Sequence, residues 1–524
     1  MAVPDYLNQS NKRIKRGAVD PEADFQTDHL LPVLGRHTAR GGLVMISGHG
    51  LKFAIAILGT AIMARLLAPE DYGLIGMVTV VTNFVSLFTY LGLSFPTVQR
   101  AEIKFEQIST LFWTNLGVSL VIAAGMAAIA PGIAWFYGEP KLTKIAVIIG
   151  IGFVFGGLAV QHDALLRRQM RFFALSTISL ISMLMGYAVG ITLARSGFGY
   201  WALVYSQLAV LAAYAIGVIL VSRWRPGPPK FTAESISMLK FGGDITGYSI
   251  LNYFAKNSDS LLIGRFWGAP QLGFYSKATQ LSGLPIDQLD EPLAAVAIPA
   301  LSRLVGQNDR YRQAYLRMLE KVMLLILPPI AWIVITSDWL VSVVLGPRWS
   351  YTGTILVFIG LGMLVQPVIN TVTWLFISQG RSRAMLRWAV LNAPVSLIAI
   401  LAGLPWGPTG VAAAYCIARL LVLAPLSIWL AGKAGPVSAS DIFRCTAPLL
   451  LAVTCALLSG LAFRTLFRLG NPILGMSAEA AVIGGMTVLM LLVIPSGRKA
   501  LIDVRRTWFS LGSMKIQPTV LPRD

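Results

Sequence analysis

One apolar stretch contains two ionisable side chains, which are rare inside membrane-spanning helices. Residues 48–67 are GHGLKFAIAILGTAIMARLL, and His49 and Lys52 are spaced three apart, on one helical face. A charge near the middle of a bilayer costs about 2.5–3.5 kcal/mol on insertion scales. The pair therefore predicts a polar pathway, in which His49 could titrate near neutral pH and exchange protons.

Two further apolar stretches contain charges in their middle. Lys256 and Asp259 lie within residues 242–266, and Arg419 lies within residues 409–432. Lysine binds phosphate as a point charge and arginine as a two-pronged fork. Several such cations facing water beside a low-dielectric wall would attract an anion. We therefore predict that Lys52, Lys256, Arg419 and His49 line a cationic cavity that binds phosphate or pyrophosphate.

Each of these residues also has a purely structural explanation, which for the mid-helix Arg419 is a structural role similar to that considered for Lys256. Lys52 could extend to the nearby membrane interface, His49 could itself be interfacial, and Lys256 could be neutralised by Asp259 at i+3. Arg65 and Arg265 end their apolar stretches, where anchoring and capping compete with a role at the entrance to the pathway.

Three acidic residues fall in one proline-containing apolar stretch, residues 271–299. Asp287, Asp290 and Glu291 could pair with the cations or bind a coupling ion such as H⁺ or Na⁺. Alternatively, Pro285 and Pro292 break this helix and the acids lie in a water-filled opening.

The composition identifies the setting as a membrane. Of the 524 residues, 55% are hydrophobic and 13% are charged, and the mean hydropathy is +0.68; soluble domains have about 25% charged residues. A β-barrel would show alternating segments of about ten residues instead. The net charge is +19, and the basic residues that produce it mostly flank apolar stretches. Their positions therefore predict orientation of the chain in the membrane and not nucleic-acid binding. The three cysteines form no CxxC motif, and no metal site or cofactor is predicted.

Apolar stretches of about 20 residues, each able to cross a bilayer, recur along the chain. Fourteen transmembrane helices are predicted, at about 43–67, 72–95, 109–136, 143–161, 172–194, 199–222, 242–266, 271–299, 322–345, 352–378, 386–404, 409–432, 446–464 and 474–495.

Basic residues alternate between the loops that join these helices. The even-numbered loops hold 19 Lys and Arg and the odd-numbered loops hold 8. Because positively charged loops stay in the cytoplasm, the even loops and both termini are predicted to be cytoplasmic.

A short sequence recurs at a spacing of 200 residues. ARLLAPEDYGLIG at 64–76 overlays GRFWGAPQLGFYS at 264–276, so that Arg65 corresponds to Arg265 and Gly73 to Gly273. The copies are six helices apart and point the same way, which predicts a parallel repeat of two six-helix lobes, with substrate alternately accessible at the seam between them.

The predicted fold is therefore an all-α polytopic membrane protein with two parallel six-helix lobes and two extra C-terminal helices. The predicted domains are a polar tail at 1–42, an N-lobe at 43–222, a Pro- and Gly-containing cytoplasmic linker at 223–241, a C-lobe at 242–432, helices 13 and 14 at 433–495 and a cytoplasmic tail at 496–524.

Four stretches in order resemble one transporter family. LLAPEDYGLIGMV, QRAEIKFEQISTLFWTN, NSDSLLIGRFWGAPQLGFYSKA and IPALSRL are similar to segments of Wzx-type oligosaccharide flippases, in the colanic-acid and succinoglycan exporter branch of the multidrug/oligosaccharidyl-lipid/polysaccharide superfamily. These segments lie within roughly residues 40–305; beyond them the likeness is mainly one of hydropathy.

The resemblance implies a function in exopolysaccharide or lipopolysaccharide synthesis. Such a protein flips undecaprenyl-pyrophosphate-linked oligosaccharide units across the bacterial inner membrane, through a cationic cavity lined by the first helices of each lobe. That maps onto Lys52 and Lys256, and onto Arg419. Its partners would be the lipid-linked oligosaccharide, membrane lipid, and polymerase and chain-length or export proteins.

Three alternatives remain at the level of sequence. A lipid II flippase shares the pyrophosphate handle, so a cationic cavity does not exclude it. A drug/cation antiporter of the same superfamily would favour carboxylates in its cavity. A membrane glycosyltransferase or polymerase would need long extracytoplasmic loops, and the odd-numbered loops are short. The chain is therefore predicted not to be an enzyme.

Overall fold

The computed structural model describes residues 34–89, 97, 103–230, 246–433, 435–467, 469–493 and 498, and the regular elements of these residues are all helical. The α-helices are α1 (Leu34–Leu66), α2 (Pro69–Thr89), α3 (Phe105–Tyr137), α4 (Lys141–Arg168), α5 (Phe172–Arg195), α6 (Tyr200–Ser222), α7 (Thr246–Asp287), α8 (Asp290–Ser302), α9 (Asn308–Ile335), α10 (Ser337–Val344), α11 (Ser350–Met363), α12 (Gln366–Ser378), α13 (Ser382–Gly403), α14 (Gly407–Ala418), α15 (Ala424–Gly432), α16 (Ala439–Leu466) and α17 (Pro472–Val493).

The all-α polytopic fold predicted from the sequence is confirmed, and each of the fourteen predicted spans has a helical counterpart. Eight described helices are long and apolar enough to cross a membrane, or up to ten if each of two bent pairs is one span. Helix α1 begins at Leu34, nine residues before its predicted start. Span 7 and the first part of span 8 are joined in α7 across a kink at Gly268, whose φ of +78° favours glycine. The rest of span 8 lies in α8.

Contact clustering divides the chain into two compact units. Unit 1 consists of residues 1–59, 81–135 and 139–246, and unit 2 of residues 60–80, 136–138 and 247–524. The predicted tails at 1–42 and 496–524 lie largely outside the described residues, as do residues 231–241 of the predicted linker.

In unit 1, the start of the predicted linker is tied to α3. The backbone N–H of Gly227 donates to Ser109 Oγ at 3.0 Å, and Trp113 Nε1 donates to the Gly227 carbonyl at 2.8 Å. The N–H of Lys230 donates to Thr110 Oγ1 at 2.9 Å. Residues 223–230 are not helical, and these side chains satisfy backbone groups that a helix would have satisfied internally.

In unit 2, the two copies of the sequence repeat pack against each other. A Cβ at Gly73 would overlap the backbone carbonyl of Ala269, and a Cβ at Gly273 would overlap the carbonyl of Pro69. An offset of 200 converts one contact into the other, so the pairing has local two-fold symmetry. Small residues allow such close approach between membrane helices, which is the physical reason for glycine at both positions.

A buried tryptophan fixes the end of α1 beside this contact. Trp349 is fully buried, and its Nε1 donates to the Ala64 carbonyl at 2.9 Å. Its ring lies edge-on to Tyr72 at 5.3 Å and to Phe274 at 5.9 Å between centroids. One side chain therefore links α1 and the two repeat copies.

Alanine at Gly73 or Gly273 should destabilise the protein. Glycine to alanine normally stabilises a helix interior by about 0.5–1 kcal/mol, but overpacking here should reverse the sign, with a loss of about 1–3 kcal/mol. Gly125 in α3 has no neighbouring heavy atom within 4 Å of its Cβ direction and supplies the control. Thermal unfolding of the purified protein should give lower midpoints for G73A and G273A and an unchanged or higher midpoint for G125A. Equal midpoints for all three would contradict the close contact.

Candidate functional site

A cavity of about 420 Å³ lies within unit 2, between α7, α8, α11, α12 and α14. Four ionisable residues predicted from the sequence meet there: Lys256, Asp259, Asp290 and Arg419. Side-chain amides and hydroxyls complete the polar part of its lining: Gln366, Asn370, Tyr275, Thr279 and Tyr415. The structure thus brings together residues that are up to 163 positions apart in the sequence.

Arg419 is presented to the cavity by a break in regular α-helix. Residues Arg419–Leu423 form a π-helical turn between α14 and α15, a feature that often marks functional positions. The guanidinium donates to Gln366 Oε1 and lies 5.1 Å from the ring centroid of Tyr415. Its Nη1 is 3.4 Å from Met363 Sδ. Arginine can be tolerated in this apolar region because its donors face these partners.

The polar contacts continue from Gln366 along α12. Gln366 Nε2 donates to Asn370 Oδ1 at 2.6 Å, and the Asn370 amide in turn interacts with the carboxyl group of Asp290 in α8. We call Arg419, Gln366, Asn370 and Asp290 the polar relay. Because each amide both donates and accepts, a change at one end of the relay can alter the hydrogen bonds at the other.

Asp259 accepts its hydrogen bonds from groups outside the relay. Tyr275 donates its hydroxyl to Asp259 Oδ2 at 2.7 Å, and the backbone N–H of Ser260 lies 2.6 Å from Oδ1. Arg419 exerts a favourable electrostatic interaction on the same carboxyl group. Both carboxylate oxygens are thus engaged within the protein.

Lys256 is the exposed cation of the cavity. Its side chain makes no hydrogen bond or ion pair with a described side chain, although it interacts electrostatically with Asp290. It forms no ion pair with Asp259 among the described residues, so the i+3 neutralisation considered from the sequence is not seen there. No described side chain occupies the donors of the Lys256 ammonium group.

Other predicted residues lie elsewhere. Lys52 is half-buried in the part of α1 that belongs to unit 1. Arg65 Nη2 donates to the Val343 carbonyl at 2.5 Å, and the Arg265 guanidinium lies 5.8 Å from the Phe136 ring centroid.

These contacts agree with an anchoring role for both exposed arginines at the ends of their spans. The side chains of His49, Asp287 and Glu291 lie outside the described part of the structure, although their backbones are helical.

Lys277 is a buried cation that the sequence reasoning missed. Only 7% of its surface is exposed. Its Nζ lies 4.0 Å from the centroid of the Tyr72 ring and donates to Gln280 Oε1 at 2.9 Å. A lysine inside the eighth predicted span is the same signal that singled out Lys256 in the seventh, and it could have been found that way.

The charges that line the cavity balance among the described residues: two cations face two carboxylates. The cavity is therefore of mixed charge. Asp259 already accepts two hydrogen bonds, and no described side chain occupies the Lys256 donors. An anionic group is therefore the ligand that the described part of the cavity fits best.

The helical spans and the internal polar cavity define a polytopic membrane transporter. The chain belongs to the family described as "Polysaccharide biosynthesis protein", which matches residues 62–352, more than half of its length.

Two relatives extend this finding over most of the chain. The succinoglycan biosynthesis transport protein ExoT of Rhizobium meliloti is 26% identical over 469 residues, which cover 87% of this chain and 92% of the relative. The lipopolysaccharide biosynthesis protein WzxC of Escherichia coli is 22% identical over 355 residues, 67% of this chain and 71% of the relative. The membership predicted from the four sequence stretches is confirmed.

Solved structures support the fold. The lipid II flippase MurJ in an inward closed conformation is similar with a TM-score of 0.67 at 14% identity, over 86% of this chain and 98% of that one. A multidrug resistance MATE family transporter of the MOP superfamily, in an inward-facing conformation, gives a TM-score of 0.59 at 14% identity, over 76% and 96%. At these identities the likeness concerns the fold alone.

The electrostatic contact between Arg419 and Asp259 should appear as non-additive stability. Arg419→Met should lower the thermal midpoint because Gln366 loses its hydrogen-bond donor and Asp259 loses its neighbouring cation. Asp259→Asn in the same chain should recover part of the loss, since the uncompensated carboxylate is removed as well. Thermal unfolding of both single variants and the double variant should give a coupling of about 0.5–3 kcal/mol. Strictly additive effects would contradict the pairing.

Proposed function

We propose that this protein flips polyprenyl-pyrophosphate-linked oligosaccharide units, with undecaprenyl as the lipid, from the cytoplasmic to the periplasmic leaflet of a bacterial inner membrane. The observation that carries the proposal is the meeting of Lys256 and Arg419 in one cavity of a chain that belongs to a polysaccharide biosynthesis family. Both termini are proposed to be cytoplasmic, because the excess of basic residues lies in the even-numbered loops.

Binding of the pyrophosphate would begin at Lys256. Its ammonium donors, which no described side chain occupies, suit a phosphate oxygen. Arg419 would join by exchanging Gln366 for the ligand, and the released amide could still donate within the relay. Lys52, the cation of the repeat-related helix α1, is proposed to contribute a further charge during alternating access.

The proposed activity is translocation and not catalysis, because the lipid-linked substrate would leave the protein covalently unchanged. A polymerase and chain-length or export proteins would then act on the translocated units. Coupling to H⁺ or Na⁺ is proposed as the energy source, and no organic cofactor is invoked. The cavity carboxyl groups Asp259 and Asp290 are the candidates for the coupling ion, and Asp287 and Glu291 remain proposals from the sequence alone.

A lipid II flippase is the second candidate, favoured by the fold shared with MurJ. It would use the same pyrophosphate-binding cations, so the cavity does not separate the two substrates. A cation antiporter would instead rely on Asp259 and Asp290, which are present in the same cavity. Side-by-side transport of the three substrate classes distinguishes these functions.

Removal of the Lys256 charge should abolish transport of the pyrophosphate-linked substrate. In proteoliposomes containing a polyprenyl-pyrophosphate oligosaccharide, Lys256→Ala should lower the initial flipping rate at least about tenfold, the equivalent of one charge-assisted hydrogen bond of about 1.5–3 kcal/mol. Lys256→Arg should retain part of the rate. Lys144→Ala, at an exposed lysine of α4, is the matched control and should behave like the unaltered protein. A wild-type rate in Lys256→Ala, with normal insertion, would contradict the proposed binding site.

The same assay should show a dependence on an ion gradient. An imposed H⁺ or Na⁺ gradient should accelerate net flipping by the unaltered protein and have a smaller effect on Asp290→Asn, because this change removes one titratable group of the relay. Equal acceleration of both proteins would exclude Asp290 as the coupling group, and identical rates with and without either gradient would exclude ion coupling.

A further inference from the structure

A second buried ionisable group lies outside the cavity, in the two helices beyond the predicted repeat. Glu479 of α17 has no exposed surface, and neither of its carboxyl oxygens has a hydrogen-bond partner among the described residues. An ionised carboxylate in such a place is costly unless it is paired, and neutralisation by a proton is the usual resolution.

The packing around Glu479 is close and largely apolar. Its Oε2 faces Gly460 of α16 and lies 2.9 Å from where a Cβ would be. Ile335 of α9 and Ile483 of α17 approach the same point at 3.4 Å. Glycine at 460 thus lets the carboxyl group lie directly against the backbone of α16.

The preceding turn of α17 closes the site from one side. Gly475 packs directly against the Trp339 ring, and Trp332 Nε1 donates to the Met476 carbonyl at 2.9 Å. These contacts attach the face of α17 that carries Glu479 to α9 and α10.

The nearest cation is already committed to other groups. Arg464 lies one helical turn beyond Gly460 on α16, on the same face, and interacts electrostatically with Glu479. Its Nη1 donates to the Ile335 carbonyl at 2.5 Å, its Nη2 pairs with Asp338, and its guanidinium lies 4.3 Å from the Trp339 ring centroid. Arg464 and Asp338 are the charged groups that the described parts of the packed helices present near Glu479.

We propose that Glu479 is a proton-binding site that holds its proton at neutral pH, and that loss of this proton would transfer Arg464 from Asp338 to Glu479. The proton is the ligand because the carboxyl group is enclosed by apolar atoms and one arginine, without the several oxygen donors that a metal cation requires. The transfer would release the arginine from the Ile335 carbonyl, at the end of α9, and so couple protonation to the packing of α9 and α10 against the C-terminal helices.

The proposal is tested by infrared spectroscopy of the purified full-length protein across a pH series. The unaltered protein should show the C=O stretch of a protonated carboxylic acid at pH 7, and Glu479→Gln should lack it. Glu139→Gln, at a half-buried glutamate in the turn between α3 and α4, is the matched control and should retain the band. Should Glu479→Gln fail to fold, Glu479→Leu supplies the same spectral comparison with an apolar side chain.

A separate variant tests the predicted transfer of Arg464 from Asp338 to Glu479. Asp338→Asn frees Arg464 to pair with Glu479, so the pH at which the band disappears should fall by about one unit or more. The absence of a band difference between the unaltered protein and Glu479→Gln at pH 7 would overturn proton binding. Loss of the band on addition of Na⁺ at constant pH would overturn it in favour of a cation site, and an unmoved midpoint in Asp338→Asn would overturn the transfer. These measurements need no transported substrate, so their failure is distinct from failure of the proposed function.

Discussion

The architecture of unit 2 depends on the need to satisfy polar groups away from water. Arg419 shows the solution most clearly: it emerges at a π-helical turn, donates to Gln366 and faces the carboxyl group of Asp259. Amides then connect it to Asp290 on another helix. Removal of any of these half-buried groups would leave its neighbours without partners, which costs more than the bond itself contributes. The position of α12 and α14 around the cavity is therefore tied to this set of contacts.

Lys256 differs from the other described charged groups of the cavity, because no described side chain is its hydrogen-bond partner. Its ammonium group lies in the same cavity, yet it forms no hydrogen bond with a described side chain. A cavity in which the described side chains provide partners for Arg419 and Asp259 but none for Lys256 is suited to bind an anion reversibly. In the proposed function, the two described carboxylates offset the two described cations, which would let a pyrophosphate leave as well as enter.

The sequence predicted the helical class, the spans and four members of the cavity, because these follow from apolar length and from charges inside apolar stretches. The repeat could be recognised in the sequence. The close packing of Gly73 and Gly273, each against the backbone of the other copy, required coordinates, since a sequence pattern cannot show which backbone lies beside a glycine. The mixed charge of the cavity was predicted in part, because Asp290 was one of three acids expected to pair with the cations, but which of them lines the cavity required coordinates. Lys277 and Glu479 are also charged residues inside predicted spans, which is the criterion that identified Lys256. The apolar residues on either side of them in the sequence do not show that both side chains are buried.

The central claim, that the unit 2 cavity binds the pyrophosphate of a lipid-linked oligosaccharide, is tested most directly by a cryo-EM structure of the protein with a polyprenyl-pyrophosphate oligosaccharide bound. The account predicts density for the pyrophosphate within hydrogen-bonding distance of Lys256 Nζ, with the Arg419 guanidinium turned from Gln366 towards a phosphate oxygen. Pyrophosphate density outside this cavity, with Arg419 still bonded to Gln366, would contradict it.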